Sequence, residues 1–109
     1  MTVLARLPYC PDLYRYARRK TRVVMVGNVG VGGDNPIRLQ SMTTTDTLDV
    51  EATAFQAQRL ASAGCEIIRI TAPTVEDSRA LGKIKERLLK LGVDAPIAAD
   101  IHFSPLAAM

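Results

Sequence analysis

The 109 residues allow one small domain at most. Apolar residues make up 48% and charged residues 23%, no apolar run approaches the roughly 20 residues of a membrane helix, and 7 Gly, 6 Pro and 2 Cys exclude collagen-like, disordered and disulfide-framework chains. The net charge of +3 is uneven: residues 1–40 carry seven basic and two acidic side chains, and residues 41–109 carry seven and nine.

The basic arm includes Arg18-Arg19-Lys20-Thr21-Arg22. Such a cluster suits nucleic acid, but it is short and the body carries no nucleic-acid motif, so we read it as a solvated or phosphate-facing edge. Arg6 interrupts the apolar start Val3-Leu4-Ala5, which leaves no secretory signal core. The expected compartment is the cytoplasm, with no membrane partner.

Residues 1–21 read as an N-terminal extension. Leu13, Tyr14, Tyr16 and Ala17 could form a short helix capped by Asp12. Arg22 to Val26 is β-branched and strand-like, and the Gly-rich turns around Val29 and Val31 predict a β-hairpin over 22–35. These glycines do not make a phosphate loop, because no Gly-Lys-Ser/Thr ending and no G-x-G-x-x-G pattern is present. Ile37 to Met42 reads as a strand. Val50 to Ala63 reads as a helix with Val50, Ala54, Ala57, Leu60 and Ala61 on one face, capped by Thr47 or Asp49 and stopped by Gly64. Glu66 to Thr71 is a second strand. Thr74-x-x-Asp77 opens a second helix, with Leu81, Ile84, Leu88 and Leu91 on one face and Gly92 as its stop. Ala95 to Asp100 is a third strand, and Ser104-Pro105 reads as the cap and first residue of a third helix.

The body is therefore a βαβαβ run, with strand starts near 37, 66 and 96. Alternating strands and helices joined by short loops imply a parallel sheet, and function in such sheets sits at the carboxyl ends of the strands. Those ends carry Gln40, Ser41 and Thr43-Thr44-Thr45, then Arg69, then Asp100 and His102. Arg69 lies in an apolar Ile-Ile-Arg-Ile strand and needs an anionic partner. Either Asp100 on the adjacent strand or a bound phosphate or carboxylate would serve, and one does not exclude the other. His102, the single histidine, follows Asp100 by two residues, so both point to one side of the strand. Cys10 and Cys65 have no metal-ligand spacing and read as incidental thiols, so the sequence predicts no metal site.

Several motifs then carry a resemblance. Val26-Gly27-Asn28-Val29, Pro36 to Thr43 (Pro-Ile-Arg-Leu-Gln-Ser-Met-Thr), Thr47 to Thr53, Ala63 to Ile70 and Ala99-Asp100-Ile101-His102-Phe103 occur in this order. From about Arg18 onward the chain resembles the amino-terminal part of the 4-hydroxy-3-methylbut-2-enyl diphosphate synthase family, iron–sulfur oxidoreductases of the methylerythritol phosphate route to isoprenoids. The segment from Tyr9-Cys10 to Arg22 and the stretch Val29 to Asn35 look like the longer, plant-like subgroup, which carries an extra domain.

The resemblance implies an α/β fold: the N-terminal part of a (β/α)8 TIM barrel, built from a hairpin that closes the floor, three parallel strands and two to three helices. Residues 22–109 would form this first portion. The family reduces 2-C-methyl-D-erythritol 2,4-cyclodiphosphate to (E)-4-hydroxy-3-methylbut-2-enyl diphosphate, with ferredoxin or flavodoxin as electron donor and a [4Fe-4S] cluster held by a C-terminal domain. A homodimer is among its implied assemblies. By position, Asp100 and His102 match catalytic rim residues, and Arg69, Gln40, Ser41, Asp100 and His102 match the substrate-binding rim. A complete barrel needs about 250 residues. The expectation is therefore an incomplete barrel without the cluster domain, which binds no cluster and is inactive alone. The alternatives are another TIM-barrel enzyme, of the dihydropteroate-synthase type, and a non-functional truncated product.

Overall fold

The computed structural model describes residues 12–15 and 19–109. Strands β1 (Val24–Val26) and β2 (Val29–Val31) form an antiparallel hairpin with Val26 opposite Val29. Its two-residue loop places Gly27 at φ +56, while Asn28 is not among the residues with positive φ, the pattern of a type II′ turn. A Cβ on Gly27 would also come within 3.0 Å of Pro96, so a close approach adds to the conformational demand for glycine.

Three further strands, β3 (Gln40–Met42), β4 (Ile67–Thr71) and β5 (Ile97–Asp100), form a parallel sheet in chain order. Helices α1 (Val50–Ser62) and α2 (Val75–Lys90) are the crossovers, and α3 (Pro105–Ala108) follows β5. Asp49 caps α1 by accepting from the Ala52 amide at 3.2 Å. A reciprocal Thr74–Asp77 capping box starts α2. Gly64 and Gly92, at φ +105 and +79, take the left-handed conformation that ends each helix.

The core explains how the layers stack. Ala54 and Ala57 of α1, Ile84 and Leu88 of α2, and Ile68 and Ile70 of β4 form one buried cluster. Both helices thus cover the same face of the sheet. A doubly wound sheet would reverse strand order and place helices on both faces; chain order with one covered face is the wall of a barrel. Three strands make part of such a wall and no closed ring.

The other face carries the side chains in register with Arg69. Gln40 pairs with Ile67, Met42 with Arg69, Arg69 with Ala98, and Thr71 with Asp100. At its lower end, Val24, Val26 and Val31 of the hairpin meet Gln40, Ile67 and Ala98 around a cavity of about 430 Å³. Arg38 fastens the hairpin there. Its Nε donates to the Gly30 carbonyl at 2.8 Å, Nη1 to Glu66 Oε2 at 2.8 Å and Nη2 to Asn35 Oδ1 at 3.3 Å. The second Glu66 oxygen accepts from the Leu39 amide at 3.2 Å.

Several expected boundaries shift. The first body strand starts at Gln40 and not Ile37, because Arg38 is committed to the hairpin and pairing with β4 begins only at the Leu39 carbonyl, which accepts from the amides of Glu66 and Ile67. The strand expected from Ala95 begins at Ile97, after Pro96, which has no amide to donate. The strand expected from Arg22 begins at Val24. Ser104 does occupy the cap position of α3, but its side chain makes no capping bond. Near the N-terminus, residues 13–15 form a bend in which the Asp12 carboxylate accepts from the Tyr14 amide, and the helix expected there extends onto Tyr16 and Ala17, outside the described residues.

Candidate functional site at the strand ends

Arg69 lies mid-strand on β4, flanked by Ile68 and Ile70, which face the helices. Strand alternation turns its side chain to the opposite face, where β5 presents Asp100. Arg69 Nε and Nη2 both donate to Asp100 Oδ2, at 3.2 and 2.9 Å. The other carboxylate oxygen, Oδ1, lies 3.1 Å from His102 Nε2. Asp100 therefore holds a different residue with each oxygen, two Arg69 nitrogens on Oδ2 and one His102 nitrogen on Oδ1.

Exposure separates the three roles. The Asp100 side chain is 14% exposed, against 41% for Arg69 and 48% for His102. Asp100 lies beneath its two partners and orients them, while both keep a face toward solvent. Arg69 Nη1 has no acceptor among the described residues. The hydrogen bond from His102, followed by those from Arg69 and the charge of both, holds the Asp100 carboxyl below its ordinary range, against the upward push of its partial desolvation. An ionised Asp100 accepts Nε2–H from His102, which leaves Nδ1 as the outward nitrogen. The set offers a guanidinium edge for an anion and an imidazole nitrogen for proton transfer.

The turn after His102 is unusual. Phe103 has φ +55, the one non-glycine residue with positive φ among the described residues, and its side chain is fully exposed. A bulky side chain in this conformation carries local strain at the strand end that carries His102.

The other two expected site residues stand apart from this trio. Gln40 shares the face of Arg69 but lies one same-face pair lower, opposite Ile67 beside the hairpin. Ser41 is in register with Ile68, so alternation directs it to the helix side. No hydrogen bond joins either residue to Arg69, Asp100 or His102 among the described residues.

Sequence reasoning did not find what holds the loop after β3. The Thr43 amide donates to the Arg69 carbonyl at 3.1 Å, continuing the ladder. Beyond it, Gln56 of α1 accepts from the amides of Thr44 and Thr45 at 2.8 and 3.3 Å, and donates through Nε2 to Thr44 Oγ1 at 2.9 Å. Buried Thr53 bonds Thr45 Oγ1 at 2.7 Å and donates to the Asp46 carbonyl at 2.9 Å. The one signal in the sequence is Thr53 itself, a hydroxyl beside Ala54 within the apolar stripe of α1.

A metal cluster does not fit the described residues. Among the described residues no three His, Cys, Asp or Glu side chains are grouped to hold a metal ion. The Cys65 thiol lies at the opposite, floor end of β4, 3.0 Å from the Ile67 carbonyl and 3.8 Å from the Leu39 carbonyl. No helix among the described residues is long and apolar enough to cross a membrane.

A wall of parallel βα units with a polar rim and a hairpin beneath defines the class: the opening of a TIM barrel. Comparison with known proteins narrows it. Residues 21–109 match the GcpE TIM-barrel domain, and the chain belongs to this family. It is 58% identical over 101 residues to the 4-hydroxy-3-methylbut-2-en-1-yl diphosphate synthase (flavodoxin) of Akkermansia muciniphila, covering 93% of this chain and 17% of that protein. It is 44% identical over 107 residues to the chloroplastic ferredoxin-type synthase of Arabidopsis thaliana, covering 98% of this chain and 14% of that protein. A flavodoxin-type synthase from Protochlamydia amoebophila is 54% identical over 101 residues, covering 93% of this chain and 15% of that protein. The chain thus spans about one-sixth of the length of these relatives.

Proposed function

We propose that this chain supplies the opening βα units and the diphosphate-binding rim of a 4-hydroxy-3-methylbut-2-enyl diphosphate synthase in isoprenoid biosynthesis. In this reading residues 1–21 are an extension and residues 22–109 are the first portion of the barrel. The substrate is 2-C-methyl-D-erythritol 2,4-cyclodiphosphate, opened reductively with loss of water, and the donor is ferredoxin or flavodoxin, as in the names of the relatives. The protein works in the cytoplasm, as a homodimer. The [4Fe-4S] cluster belongs to another part of such an enzyme.

The observation that carries the reading is the Arg69–Asp100–His102 set on adjacent strand ends of a GcpE-type wall. Arg69 anchors a phosphate through the nitrogen that Asp100 leaves unused. Asp100 and His102 are the catalytic pair: Asp100 fixes the imidazole, and His102 moves a proton at its outward nitrogen. Gln40, one same-face pair below Arg69, contributes to substrate binding deeper on that face, and Ser41, which turns to the helix side, takes no part.

The test places this chain in the Akkermansia muciniphila synthase in place of its 101 matched residues. The chimera converts the cyclic diphosphate, and Arg69→Ala lowers kcat/KM at least about a hundredfold, as removal of a charge-assisted phosphate anchor requires. An inactive chimera, or an Arg69→Ala variant with near-parental KM and kcat, overturns the reading.

A further inference from the structure

We infer that Thr44 is a further substrate-positioning residue at this rim, a hydroxyl donor to a phosphate oxygen of the ligand, and that Gln56 is the positioning residue that orients it; the inference rests on the diphosphate-binding reading above. Hydrogen-bond direction decides the matter. Two backbone N–H groups, of Thr44 and Thr45, converge on one terminal atom of Gln56, which is therefore the amide oxygen. The other terminal atom is the NH2 group, a donor only. Lying 2.9 Å from Thr44 Oγ1, it obliges that hydroxyl to accept. The Thr44 proton must then point elsewhere, and no acceptor for it exists among the described residues.

The neighbouring hydroxyls are committed differently. Thr47 donates to the Thr71 carbonyl at 2.6 Å. Thr53 spends its proton on the Asp46 carbonyl, so Thr45 must donate in the 2.7 Å bond between their hydroxyls. Thr43 is buried. Thr44 is exposed, one residue beyond the last ladder bond to the Arg69 strand. It thus adds a neutral donor on one strand end to the unused guanidinium nitrogen on the next. A diphosphate has several anionic oxygens and suits more than one donor position, and a hydroxyl donates to an anion without adding charge.

The test measures equilibrium binding of inorganic pyrophosphate to the same chimera, with kcat and KM for the cyclic diphosphate alongside. Thr44→Val weakens pyrophosphate binding about tenfold, the range for losing a hydrogen bond to a charged group, while Thr44→Ser stays within about twofold. Gln56→Met weakens it by a similar factor, and combining it with Thr44→Val adds nothing further, because the two residues act as a unit. Parental binding by Thr44→Val, with binding still lost in Arg69→Ala, overturns the role of Thr44 and leaves the diphosphate-binding reading intact. Parental binding by Arg69→Ala overturns that reading, and this inference with it. A Gln56→Met effect that adds fully to that of Thr44→Val overturns the positioning role of Gln56.

Discussion

Arg69 approaches Asp100 with two nitrogens on a single carboxylate oxygen, and the second oxygen is left for His102. With the guanidinium confined to Oδ2, Oδ1 serves the imidazole alone. The parallel register makes the arrangement: Thr71 is opposite Asp100, so Arg69 sits one same-face pair lower and reaches diagonally upward. Asp100 is thereby the orienting group, and the two more exposed side chains are the ones available to a ligand.

Acid should dismantle this arrangement in a defined direction. The bond from His102 and the pairing with Arg69 hold the folded-state pKa of Asp100 below its ordinary value. A depressed carboxylate contributes stability that is fully present above the unfolded value and is lost as pH falls through the folded one. As pH falls from about 5 to about 2, the thermal midpoint should drop more steeply for the parent chain than for Asp100→Asn, which has no proton to gain. Parallel curves for the two would show that Asp100 is not held down.

The hairpin should depend on the Arg38–Glu66 pair. Their side chains are 22% and 33% exposed, so removing one leaves the other partly buried without its partner. Glu66→Gln should cost about 1–3 kcal/mol by urea denaturation and should also loosen the hairpin, seen as faster amide exchange at Val24 to Val31. A loss under about 0.5 kcal/mol with unchanged exchange would make the pair incidental.

Core truncation should be more damaging. Leu88 is fully buried between α2 and the sheet. Leu88→Ala should lower stability by about 2–5 kcal/mol, while the same change at Leu89, exposed on the other side of α2, should stay within about 0.5 kcal/mol. Similar losses at the two positions would contradict the helix orientation described above.

Capping gives a smaller, local effect. Asp49→Ala removes the acceptor for the Ala52 amide and should cost about 1 kcal/mol, whereas Asp49→Asn should retain most of it. Circular dichroism melts of the two variants would separate loss of the cap from loss of charge.

Much of the fold and of the site is legible in the residues. The stripe from Ala54 to Leu60 and the one from Leu81 to Leu91 mark both helices, because a 3.6-residue period is a local signal. Asp100 is legible as one of two candidate partners for Arg69, since consecutive parallel strands place their carboxyl ends side by side, but the residues alone leave a bound anion as the other. Local signals fail where a residue answers to something distant. Ile37 to Leu39 has a strand's composition, but Arg38 is held by a glutamate 28 positions away and by the hairpin carbonyl of Gly30. Ser41 and Gln40 differ by one step of alternation, and only the register with Ile68 and Ile67 assigns their faces. Gln56 reads as an ordinary helical polar residue, because its partners lie in a loop with no regular period.

The hairpin beneath the sheet has a consequence for traffic. With Val24, Val26 and Val31 facing Gln40, Ile67 and Ala98 across a cavity, and Gly27 against Pro96, the hairpin lies across the floor end of the three strands. The end of the strands away from the hairpin is the one that carries Arg69 and His102. On the proposed reading, entry and exit then share that rim, so a phosphate grip at Arg69 tight enough to capture a scarce reactant would also delay departure of the product.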